Sequence, residues 1–142
     1  MADLYALIRL QKHRVEEKQK IVADLFRQAE LVEGRKQELL EREAREREVL
    51  EKNNLTEGMD YFLKFSELIK NDVERLNGEL VKIEKRIDFA QEEVRQIFVE
   101  LKRIEIVQRN REQREADKRR KQEEQELNEV AIEGFRRSEE GV

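Results

Sequence analysis

From Met59 to Ile104 an apolar side chain recurs at alternating steps of three and four residues, and thirteen of the fourteen positions are apolar. They are Met59, Phe62, Ser66, Ile69, Val73, Leu76, Leu80, Ile83, Ile87, Ala90, Val94, Ile97, Leu101 and Ile104, with Ser66 the one polar member. A repeat averaging 3.5 residues winds a narrow stripe along a helix and demands a second helix to cover it. A weaker stripe runs through the first fifty residues. Leu4, Ile8, Val15, Val22, Leu25, Ala29, Val32, Leu39 and Leu50 keep the spacing, while Gln11, Lys18, Lys36, Glu43 and Glu46 fill the remaining places. Between the stripes, Asn53, Asn54, Thr56, Gly58 and Asp60 concentrate residues that end and cap helices.

This pattern predicts an all-α chain. Two long helices form an antiparallel coiled-coil hairpin, with helix 1 over about 3–52, a turn over about 53–59 and a longer helix 2 over about 60–135. Folding near residue 55 sets Leu4 opposite Val107, close to where the second stripe stops, so the two seams end at one level. An intermolecular coiled coil could use the same residues but would not require matching ends. At ~1.5 Å per residue the helices would span about 75 and about 115 Å, leaving residues 108–135 without a partner in the chain.

Composition narrows the picture. Of 142 residues, 45% are charged, 37% hydrophobic and 6% aromatic, which is too polar for a multilayered core and suits long helices. The absence of proline leaves nothing to break a helical ladder. A net charge of −4, from 34 acidic and 30 basic residues, excludes a polybasic nucleic-acid binder as the general class. Without cysteine, and with His13 as the one histidine, the residue sets for disulfides, zinc sites and nucleophilic catalysis are missing, and no glycine-rich phosphate loop occurs. The reading is therefore non-enzymatic, with no catalytic, cofactor-binding or metal-binding residues. No segment has the apolar length of a signal peptide or a membrane span, so the expected location is cytoplasmic.

Three surface features exceed what a hairpin needs. Residues 102–121 hold nine Lys or Arg against four acids, which suits an acidic protein surface, or simply a solvated helix with spaced ion pairs. Leu127, Val130, Ala131, Ile132 and Phe135 follow an acidic stretch at helical spacing and suggest a docking segment or bundling between copies. Tyr61, Phe62, Leu63, Phe65, Leu68 and Ile69 face residues 41–48, where Ala44 is the one apolar residue. Phe65 and Leu68 point off the seam and are the better contact candidates; capping of the hairpin end by Val49, Leu50 and Leu55 is the alternative.

Three segments point to one family: the start Leu7-Ile8-Arg9-Leu10-Gln11-Lys12-His13-Arg14-Val15-Glu16-Glu17-Lys18, the stretch Glu100-Leu101-Lys102-Arg103-Ile104-Glu105, and the ending Gln125-Glu126-Leu127-Asn128-Glu129-Val130-Ala131-Ile132. Together they resemble the FliJ family, the soluble component of the bacterial flagellar export ATPase complex. Asn128 stands where that family commonly has an acid. The resemblance implies a coiled coil similar to the rotary ATPase gamma subunit. It also implies that the chain binds the hexameric export ATPase, links it to the cytoplasmic domain of the membrane export gate, assists export-chaperone cycling and works at the cytoplasmic face of the basal body. Leu7, Arg9, Leu10, Arg14, Arg111, Arg114, Arg119, Arg120, Leu127, Val130 and Ile132 would then meet the ATPase, and Phe65, Leu68 and Ile69 the gate. The competing readings are a structural scaffold, a homodimerising spacer and the equivalent stalk of a virulence-type injectisome.

Overall fold

The chain is rich in Glu, Lys, Arg, Gln, Leu and Ala, the residues that lose least on entering a helix. In the computed structural model, which describes residues 4–53 and 58–141, it forms two α-helices: α1 over Tyr5–Asn53 and α2 over Gly58–Glu140. The expected bounds shift by a few residues at each end, most at the C-terminal end of α2, which continues five residues past Phe135. The Leu4 carbonyl accepts the first bond of α1 from the Ile8 amide at 2.9 Å, and the Gly141 amide closes the end of α2 on the Arg137 carbonyl at 2.9 Å. Of the expected turn, residues 54–57, including the proposed capping residues Asn54 and Thr56, lie outside the described residues.

Most ion pairs are local. Arg27–Asp24, Arg47–Glu43, Lys52–Glu48 and Arg95–Glu92 join residues three or four apart on one helix. Each such pair is worth about 0.2–0.5 kcal/mol, enough to favour helix but not to hold two helices together. That task falls to the stripes. The two helices are packed against each other, and the buried residues (Ile8, Gln11, Val15, Leu25, Val32, Ile69, Leu76, Ile83, Ile87, Ala90 and Leu101) all occupy positions of the two predicted seams.

The chain divides into two compact units. In the larger, His13–Ile97, Leu25 and Val32 of α1 form one cluster with Leu76, Ile83, Ile87 and Ala90 of α2, bordered by Val22, Ala29, Leu39 and Leu80. Two polar contacts cross between its helices: Lys18 Nζ lies 2.6 Å from Glu93 Oε2, and the Ser66 hydroxyl donates to Glu43 Oε1 at 2.9 Å. Ser66, the polar break in the longer stripe, is therefore matched by Glu43, a polar break in the shorter one.

The smaller unit joins Met1–Lys12 to Phe98–Val142. Its buried side chains are Ile8, Gln11 and Leu101, and Gln11 Oε1 has no hydrogen-bond partner. The Tyr5 hydroxyl donates to the Glu112 carboxylate. Gln108, Arg111 and Asp117 stay half-buried, so partial cover persists past the last apolar seam residue, Ile104; Asp117 is paired with Arg120. From Lys118 to Gly141 every residue is exposed.

Candidate interaction surfaces

The aromatic start of α2, in the larger unit, has more apolar surface than α1 offers to cover it. Phe62 and Phe65 are half-buried beside Val49 and Leu50, around a depression of about 150 Å³ that Glu46, Gly58 and Tyr61 complete. Arg47 lies over the Phe62 ring at 5.7 Å and Arg42 over the Phe65 ring at 5.4 Å. A guanidinium is weakly hydrated and is attracted to the negative face of a ring, so these arginines cover the two rings alongside Val49 and Leu50. Capping by Val49 and Leu50 and exposure of the off-seam residues thus occur together; Leu55 lies outside the described residues.

What remains open is a strip. Tyr61, Phe65 and Leu68 follow at four- and three-residue spacing, with the Tyr61 and Phe65 rings near-parallel at 6.5 Å; Tyr61 is 73% exposed and Leu68 65%. Ile69 does not belong to it. At 4% exposure it is a core residue, and it leaves Phe65 and Leu68 as the members of the expected gate-facing group with accessible surface. Its place on the 3.5-residue stripe already carried that signal.

The residues expected to meet an ATPase are distributed over several places. In the smaller unit, Leu7, Arg9 and Leu10 are exposed near the start of α1. Arg111 is half-buried, whereas Arg114, Arg119 and Arg120 are exposed, with Arg120 paired to Asp117. Leu127, Val130 and Ile132 are 57–68% exposed, as is Phe135 at 67%. Arg14, also exposed, falls in the larger unit.

A third surface has no counterpart in the sequence reading. In the larger unit, two adjoining depressions of about 340 and 530 Å³ share Arg35 and Glu79 and form one groove between the helices. Leu31, Val32, Leu39, Leu76 and Ile83 supply its apolar lining, and its charged lining comprises six cations against three acids. Arg35, Arg42 and Arg45 recur at seven and three residues on α1, and Arg75, Lys82 and Arg86 at seven and four on α2, so the spacing was present in the chain. Without knowing which faces meet, it could not be assembled into one surface.

Among the described residues, no group of three or more His, Cys, Asp or Glu could hold a metal ion, and no helix is long and apolar enough to cross a membrane. No family model, curated protein or solved structure matches the chain.

Proposed function

We propose that the chain is a non-enzymatic stalk or adaptor of flagellar type III protein export. In this reading it is an antiparallel coiled-coil hairpin whose second helix is the longer. It binds and promotes the ring of the export ATPase, connects the ring with the cytoplasmic domain of the membrane export gate, and assists export-chaperone cycling at the cytoplasmic face of the basal body. Hydrolysis belongs to the ATPase, and this chain supplies surfaces.

The resemblance to the FliJ family supports the reading, and one observation carries it. α2 remains helical to Glu140 although every residue from Lys118 to Gly141 is exposed, and that stretch carries Leu127, Val130, Ile132 and Phe135. A helix with no cover and an exposed apolar patch is suited to a partner that supplies the missing face. A second strip, with Tyr61 and Leu68 exposed and Phe65 half-buried between them, suits a separate partner.

A chain ending after Arg109 tests the ATPase contact. It is expected to stay helical but to lose co-purification with the flagellar export ATPase and stimulation of its hydrolysis; unchanged stimulation overturns the assignment. For the gate contact, Phe65→Ala combined with Leu68→Ala should weaken binding to the gate's cytoplasmic domain at nearly constant helix content. Undiminished gate binding would remove that strip from the proposal.

A further inference from the structure

The groove of the larger unit combines an apolar lining with an excess of positive charge. Arg35, Arg42, Arg45, Arg75, Lys82 and Arg86 line it against Glu38, Asp72 and Glu79. Arg75 is 3.5 Å from Asp72, and Arg42 rests on the Phe65 ring. Among the described residues, Arg35, Arg45, Lys82 and Arg86 have no carboxylate within ion-pair distance, although carboxylates outnumber cations in the chain. Four cations without a carboxylate partner among the described residues, beside apolar side chains, form a complementary surface for an acidic amphipathic helix.

The chain contains such a helix. Residues 122–135 carry Glu123, Glu124, Glu126, Glu129 and Glu133 and no Lys or Arg. Leu127, Val130, Ala131 and Phe135 lie along one side at three- and four-residue spacing, and Glu126 and Glu133 neighbour Val130 four residues before and three after it. All of these residues are exposed. We infer that the acidic segment 122–135 of one molecule docks in the basic groove of a second copy, its apolar side on the exposed Leu31 and its glutamates toward Arg35, Lys82 and Arg86. Residues 75–86 and 122–135 belong to one uninterrupted helix, so the segment that fills the groove comes from a second molecule. The contact is short and rimmed by charge, so it is weak, roughly micromolar, and salt-sensitive. It occupies Leu127 and Val130, so a molecule engaged this way cannot offer them to another partner.

Sedimentation equilibrium of the full chain across dilution, at low and at high salt, tests the inference. Self-association that weakens with salt is expected, with Arg35→Glu plus Lys82→Glu weakening it about tenfold or more, Glu126→Lys plus Glu129→Lys doing the same, and all four together restoring it. All four residues are exposed, and circular dichroism of each variant confirms that the helices are intact. A monomer at every concentration overturns the inference. So does association indifferent to the reversals, or a fourfold variant that fails to recover.

Discussion

The two units are built from the same helices and differ in what covers them. In His13–Ile97, six buried apolar residues from both helices form one cluster, and two polar contacts join the helices at Lys18–Glu93 and Ser66–Glu43. In the unit made of Met1–Lys12 and Phe98–Val142, the buried set among the described residues shrinks to Ile8, Gln11 and Leu101, and every residue from Lys118 to Gly141 is exposed. Local ion pairs occur in both, as Arg95–Glu92 and Arg120–Asp117 illustrate, so they cannot account for the difference. Helix propensity and helix-surface pairs make a helix possible; burial of a stripe makes it stable, because an isolated helix gains little beyond its own backbone bonds.

The strongest way to break this comparison is to remove core volume. Ile83→Ala should cost about 2–4 kcal/mol in chemical denaturation, since its side chain joins the central cluster and the hole left behind cannot fully close. A loss no larger than that of an exposed substitution such as Leu127→Ala would show that the cluster does not hold the larger unit. The next effect has the opposite sign. Gln11→Leu replaces a buried carbonyl oxygen without a partner by an apolar group, and should stabilise the smaller unit by about 1–2 kcal/mol, read as slower hydrogen exchange of residues 98–108. Unchanged exchange would mean that solvent already satisfies that oxygen.

The glycines sharpen the contrast further. A Cβ built at Gly78 or Gly134 meets nothing within 4 Å, so alanine at either site gains helix propensity without a clash. Gly78→Ala should therefore raise the stability of the larger unit by about 0.5–1 kcal/mol. Gly134→Ala lies in the uncovered stretch and should leave the main unfolding midpoint unchanged while increasing helical circular dichroism. Equal midpoint shifts from both would mean that residues 118–140 unfold with the core. The smallest effect belongs to Lys18–Glu93, whose side chains are 36% and 29% exposed; a double-mutant cycle should give a coupling of about 0.2–1 kcal/mol that falls with added salt.

Much of the core was legible in the chain because a coiled-coil seam is written at a fixed local spacing. Val15, Leu25 and Val32 on one stripe and Ile69, Leu76, Ile83 and Ile87 on the other are buried where the 3.5-residue repeat put them. The interaction surfaces were less legible. Phe65, Leu68 and Ile69 were grouped as one gate-facing set, yet Leu68 is open, Phe65 lies under Arg42, and Ile69, a seam residue, is core. Neighbours in sequence point in different directions around a helix, and the cover each receives comes from residues far away in the chain. The basic groove was hidden for the same reason: each helix carries its share of cations, but only packing places Arg35 beside the depression that Lys82 and Arg86 also line.

By itself, then, the sequence determined two long helices, the stripe each one buries and the segments left without apolar cover, because periodicity, propensity and the absence of proline act over a few residues at a time. Only the tertiary structure decided that Ser66 meets Glu43, that Gln11 is buried with an unanswered acceptor, that arginines roof the aromatic rings and that the cations of two helices share one groove. Those outcomes depend on distances between residues remote in sequence, which no local repeat encodes.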